Sequence, residues 1–250
     1  IVISTTAGDL TLNNGTAPGT DTDPTDDIAI TAHGTGNILL QTLGANTDIT
    51  ANADIVSGSG NISVLAAQSI SFTGTADLRT TSTGAGSGSL DLAAATGSIT
   101  QSATSLFTST GASATARLVA ATDITVGDIE LTTGKVSLTA TAGSILDADA
   151  LTGDASDTND ADQDITASAL RLSAGTAIGG SVNHLETTVA TLSARAADGG
   201  IYLLEADALT IDDVGLSVNR VGTLGTAAIT AGQKTAASGE LVTDATQSEV

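Results

Sequence analysis

The stretch Gly134-Lys135-Val136-Ser137-Leu138-Thr139-Ala140-Thr141-Ala142-Gly143-Ser144-Ile145-Leu146 decides how this chain is read. Val136 and Leu138 alternate with Ser137 and Thr139. A period of two puts the aliphatic pair on one face of a strand and the hydroxyls on the other. A small polar stretch ending at Gly143 follows, where a residue without Cβ lets the backbone turn sharply through positive φ. Ile145 then opens a second strand. The phrase predicts strand, corner, strand.

Variants of the phrase fill the chain. An apolar-x-apolar pair behind a small residue recurs as GDLTL at Gly8, GNILL at Gly36, GNISV at Gly60, GSLDL at Gly88 and ARLVA at Ala116. The spacings are 28, 24, 28 and 28 residues, within the range of solenoid repeats. Later copies are GKVSL at Gly134, ALRLS at Ala169, ATLSA at Ala190 and GLSV at Gly215. Each unit holds further short strand triplets, such as QSISF with Ile70 and Phe72, then ADLRT with Leu78. Three short strands per unit, repeated, predict an all-β, three-faced parallel β-helix (β-solenoid) of about eight to nine coils. Stacked coils share one interior that no single coil can build. At about 4.8 Å per coil the rod is on the order of 40 Å long. The aspartates before isoleucine at Asp48, Asp54, Asp123 and Asp128 suit corners, where a short side chain bonds its own backbone. A compact β-sandwich is the competing architecture, but its unequal turns do not naturally keep this period.

Three stretches break the rhythm. Residues 13–27 hold both prolines and four aspartates, and residues 147–164 are dense in aspartate, so both are expected as loop insertions. The β-helix is expected over 1–221, and 222–250 as a terminal coil or a linker to further repeats.

Composition agrees. Two Phe, one Tyr and no Trp or Met leave the core to Ala, Val, Ile and Leu, which suit a narrow regular interior. The formal charge of −21, with seven Lys plus Arg, argues against nucleic acid as a partner, because such a surface repels phosphate. No apolar run approaches the ~18 residues that span a bilayer, so membrane insertion is not expected. With no Cys, thiolate metal sites, disulfides and Cys catalysis are excluded. The start at Ile1 reads as a processed product or an excised segment.

Candidate sites are few. Asp157, Asn159, Asp160, Asp162 and Asp164 supply clustered oxygen ligands of the kind calcium takes, which makes calcium the one cofactor to consider. The EF-hand glycine and final glutamate are missing. Asp21, Asp23, Asp26 and Asp27 form a weaker cluster. His33 and His184 lack metal-ligand partners in sequence and are expected at the surface or at corners. Arg117 and Arg171 both fall at a first-strand position and are expected to align on one face. Phe72, Phe107 and Tyr202 are expected in the core or at its ends. No catalytic or cofactor-binding residue is assigned, and no enzyme is expected.

The units VSLTATAGSIL from Val136, LRLSAGTAIGG from Leu170 and LSARAADGGIYLL from Leu192 resemble the repeats of filamentous-haemagglutinin-like giant bacterial surface exoproteins. The likeness spans Gly8 to Val218 on the pattern L-x-L-x-A-x-x-G-x-I. It implies a right-handed parallel β-helix, export to the bacterial cell surface, and a role in adhesion, biofilm or cell contact. The expected function is thus a structural segment of an extracellular fibre. Its expected partners are further coils, another copy end to end, or a surface glycan or protein receptor. A carbohydrate- or calcium-binding module and a polysaccharide-active enzyme are the alternatives.

Overall fold

The computed structural model describes residues 1–14, 27–81, 88–149, 163–229, 233–234 and 242–243. Among these every regular element is a strand, and no helix is long and apolar enough to cross a membrane. The chain is all-β, and its parallel sheets build a β-solenoid from three ladders.

The first ladder begins with Val2–Thr5 and proceeds through Ile38–Thr42, Ile62–Ala66, Ser89–Ala94 and Thr115–Ala120. It continues in the second halves of three long strands, Asp128–Ala140, Ile165–Ala174 and Leu185–Ala196. Thr210–Ile211 pairs last, Ile211 opposite Leu192. The second ladder has eight strands, from Leu10–Leu12 through Ile49–Ala51 and Ile124–Val126 to Gly200–Ile201. The third runs from Ile28–Ala32 through Asp54–Ser57, Leu78–Thr80 and Leu106–Ser109 into the first halves of the long strands, and ends at Leu203–Glu205. The long strands thus cross a corner without stopping. The pairing of the first two shifts register between Leu131 and Lys135.

Register converts the repeat into a core. In the second ladder Ile49, Ile70, Ile99, Ile124, Ile145, Ile178 and Ile201 stand directly over one another. In the first, Leu40, Val64, Leu92, Leu118, Leu138 and Leu172 do the same. All of these but Ile201 are buried. Each fully buried aliphatic side chain contributes about 1.5–3 kcal/mol, so the stack is held by many equal increments. Phe72 and Phe107 meet edge to face inside, centroids 4.7 Å apart, as expected of core residues.

Two local expectations are corrected. Gly143 is not at positive φ. A Cβ there would stand 2.5 Å from the carbonyl carbon of Thr122 in the preceding rung, so glycine is required by the closeness of the rungs. Gly88 is tighter still, with the Gly60 carbonyl oxygen 1.8 Å from a built Cβ. The corner aspartates, in turn, bond the next rung rather than their own turn. Asp48 Oδ1 accepts the Ser69 amide, Asp54 Oδ1 the Asp77 amide and Asp123 Oδ1 the Ser144 amide, each at 2.8 Å. They satisfy donors that a corner would otherwise leave unpaired.

The far end is also more elaborate than expected. Glu205 ends the last strand of the third ladder, and its carboxylate accepts the Val189 amide at 3.0 Å and the Thr187 hydroxyl at 2.8 Å, so a side chain serves as acceptor beyond the strand's end. The Gly215 phrase does not add a rung. After Ile211 the chain leaves the stack and runs back over the outside of the first ladder. Asn219–Val221 pairs antiparallel with Ala227–Ile229, and Gly215–Leu216 with Gln233–Lys234. Val242–Thr243, in the expected terminal segment, pairs parallel with Arg195–Ala196.

Candidate functional site

The acidic corner is built by the ends of the second insertion. Asp147 closes the strand Ile145–Asp147, and Asp164 immediately precedes Ile165. Asp147 pairs with Val126, so an acid follows an apolar residue in the same column of the second ladder. Because the insertion leaves and returns at one corner, Asp147, Asp149 and Asp164 converge, with one carboxylate oxygen from each within 4.8 Å of the others.

Asp164 is 5% exposed. Burial, and then the charge of Asp147, push its carboxyl up to about 10, against the pull of the Glu186 amide that donates to Asp164 Oδ2 at 2.7 Å. Asn183 Nδ2 donates to Asp147 Oδ2 at 2.6 Å and to the Asp149 carbonyl at 3.3 Å. The Asp149 amide donates to Asp147 Oδ1 at 2.7 Å. Two oxygens that each lie 2.3–2.6 Å from one calcium ion are at most about 5.2 Å apart, so this spacing admits one. The group can therefore exist in two forms: an acid holding its proton, or a carboxylate set holding a cation in that proton's place.

Of the five residues expected to bind calcium, Asp164 is described and stands in this corner. Asp157, Asn159, Asp160 and Asp162 lie outside the described residues, as do Asp21, Asp23 and Asp26 of the weaker cluster. Asp27 is described and accepts a hydrogen bond from Asn14 Nδ2. Asp147 and Asp149 were not among the expected ligands. The signal for Asp147 was available: it sits one residue past the repeat's isoleucine pair, where its neighbour in register is apolar.

Neither histidine lies in the acidic corner. His33 is exposed, and His184 stacks parallel to Tyr202 with ring centroids 6.0 Å apart. A second acid site lies at the start of the third ladder. Burial raises the pKa of Asp54 and of Asp77, although Arg79, whose Nη2 is 2.5 Å from Asp54 Oδ2, acts in the opposite direction on both.

The expected alignment of Arg117 and Arg171 is present, and it belongs to something larger. Ser63, Asp91, Arg117, Ser137, Arg171 and Ser193 occupy one register position in successive strands of the first ladder. This position points away from the aliphatic core, yet the six residues are 0–8% exposed. The returning segment covers them. Arg117 Nε and Nη2 donate to Asp91 Oδ1 at 2.9 and 2.7 Å, and Arg220 Nε of the segment donates to Asp91 Oδ2 at 2.6 Å. Arg171 donates to the hydroxyls of Ser137 and Thr139; burial lowers its pKa, and Asp213 of the segment offsets part of that. Compared with known proteins, the chain matches no family model, no curated sequence and no solved structure.

Proposed function

We propose that this chain is a structural segment of an extracellular bacterial surface fibre. In this reading it is a right-handed, three-faced parallel β-helix of eight complete coils, with a ninth begun at Thr210–Ile211. Its work is mechanical rather than catalytic: it holds a rod of fixed width and sets the distance between what lies at its two ends.

The observation that carries the reading is the isoleucine column from Ile49 to Ile201, one residue per rung. A constant interior gives a constant cross-section, which is what a spacer needs. The resemblance of the repeats to filamentous-haemagglutinin-like adhesins supports the placement at a cell surface and a part in adhesion or biofilm. Rods of this kind extend by adding rungs. The strand Val2–Thr5 pairs on one side only among the described residues, and Ile1 and Val2 are exposed beside it. Such an edge accepts another strand layer, from a longer chain or from a second copy end to end. Sedimentation over a concentration series tests the end-to-end part: oligomers growing along one axis are expected, and a strictly monomeric species at the highest concentration sinks it. Protease shaving of intact cells tests the location, since a surface fibre is released and an internal protein is not.

Calcium is a second reading, favoured by the convergence of Asp147, Asp149 and Asp164. It sits within the first, as a clip that pins an insertion to the rod. Calorimetric titration with calcium decides it: saturable heat lost in Asp147→Asn supports the clip, and heat unchanged by that substitution removes this corner as the site.

A further inference from the structure

The returning segment Asp212–Ile229 is the least expected feature of the molecule. It descends the rod. Asp213 acts on Arg171, the Asn219 amide donates to Ser89 Oγ at 3.0 Å, the Val221 amide to Ser63 Oγ at 2.9 Å, and Asn37 Nδ2 donates to the Gly225 carbonyl at 2.9 Å. Each anchor lies at an earlier rung of the first ladder than the one before it, ending at Asn37 just ahead of Ile38–Thr42, apart from the side-by-side contacts on Ser89–Ala94. Val214, Leu216, Val218 and Val221 are the segment's own buried residues.

We propose that the outer face of the first ladder is a docking groove for this segment, and that neighbouring copies of the chain exchange it. The partner of the groove is then a second copy, joined side by side. This goes beyond the spacer reading and is independent of where the rod resides.

Three observations lead there. First, the groove is selective for the segment's own sequence. Asp91 is 0% exposed, and Arg117 takes only its Oδ1. The second oxygen is met by Arg220, so an occupant without a cation at this point leaves half of a buried carboxylate unpaired. Second, the attachment is separable from the stack. Between Asp212, whose amide bonds the Leu192 carbonyl, and the short Val242–Thr243 pairing with Arg195–Ala196, the anchors all use a side chain on at least one partner, so among the described residues that short pairing is the ladder contact given up when the segment leaves. A cleft of about 350 Å³ already lies under its first part, beside Gly134, Lys135, Gly215 and Leu216. Third, the connection is free to reach outward. Every residue from Ala206 to Asp213 is exposed, and the connection is held to the stack by the Ala206 amide on the Thr187 carbonyl, the Asp212 amide on the Leu192 carbonyl and the two-residue strand Thr210–Ile211.

Exchange restores in a neighbour each contact broken at home, so it costs little beyond bringing two chains together. A short tether sets an effective concentration of about a millimolar for the home groove. Exchange therefore competes only where copies are packed side by side at comparable density.

The absence of native Cys makes the test clean. Full-length Ser89→Cys and full-length Asn219→Cys chains are mixed at about 1 mM and at about one-hundredth of that, then oxidised. The expected result is a disulfide heterodimer at the higher concentration, at least tenfold depleted at the lower. It should be lost when the Asn219→Cys chain also carries Arg220→Asp. The double variant Ser89→Cys/Asn219→Cys should close within one chain at either concentration. No heterodimer at about 1 mM, or one indifferent to Arg220→Asp, overturns exchange; failure of the double variant to close overturns the groove itself. End-to-end growth in sedimentation does not involve Arg220, so the two ideas fail separately.

Discussion

Two columns of buried side chains run up this rod, and they are built on opposite principles. The inner one uses isoleucine at each rung from Ile49 to Ile178. The outer one, Ser63-Asp91-Arg117-Ser137-Arg171-Ser193, mixes three serines, two arginines and one aspartate. The reason is what each column touches. An interior isoleucine sees the rung above and the rung below, and these are the same everywhere. An outward residue under the returning segment meets a different part of that segment at each level: Val221 at Ser63, Arg220 at Asp91, Asp213 at Arg171. Stacking on itself makes a chain periodic, whereas docking against something that crosses it makes the chain aperiodic.

The sharpest way to break the comparison is to remove the charge from the outer column. Asp91→Ala strands Arg117, 6% exposed, without its counter-ion, and should destabilise by about 3–5 kcal/mol. If urea unfolding instead gives a loss typical of a surface substitution, the outer column is not a buried one. Ile124→Ala opens a cavity in the inner column and should lower stability by about 2–5 kcal/mol, in one cooperative transition with the whole stack. A local effect confined to the neighbouring rungs, seen by amide exchange, would mean the rungs are energetically independent.

Arg220→Ala separates the columns. Its side chain is about one-third exposed, so the loss should be smaller, about 1–2 kcal/mol, for a charged hydrogen bond to Asp91. The expected signature is faster amide exchange at Asn219 and Val221, with protection at Ile99 and Ile124 unchanged. Equal loosening of the interior would show that the segment holds the rungs together and is not a separable cover.

These contrasts also explain what the sequence could reveal. Val136, Leu138 and Ile145 were readable because their alternation and spacing recur, and the structure places them on two ladders as read. Gly143 was recognised as a corner residue for the wrong reason, since the repeat shows that a glycine is wanted without showing that the rung beneath requires it. Asp48, Asp54 and Asp123 were placed at corners correctly, but their partners are a rung away and a linear reading supplies only near neighbours. The Gly215 phrase misled because Leu216 and Val218 alternate for a different reason: a segment lying on a surface also has one buried face. At the acidic corner, Asp164 was named while Asp147 and Asp149 were missed. The expected cluster is contiguous in sequence, whereas this one forms where an insertion closes on its own ends.

The smallest effect belongs to that corner, and it is one of sign. Asp164→Asn is near-isosteric and keeps an oxygen for the Glu186 amide, so at acidic pH it should be close to neutral. The folded-state pKa of Asp164 is raised from 3.8 to about 10 by burial and by Asp147. Between those values the folded chain keeps a proton that the unfolded chain has released, so stability is fully present below about pH 4 and falls as pH rises toward about 10. The asparagine variant has no proton to lose, and its advantage over the parent should grow steadily upward from pH 4. Calcium reverses the trend, since the ion binds the deprotonated carboxylates and its stabilisation rises with pH. Urea midpoints for both chains at about pH 5, 7 and 9, with calcium and with chelator, distinguish these outcomes. Parallel curves in chelator would mean that Asp164 is charged in the folded chain, and that its corner is wetter than its burial implies.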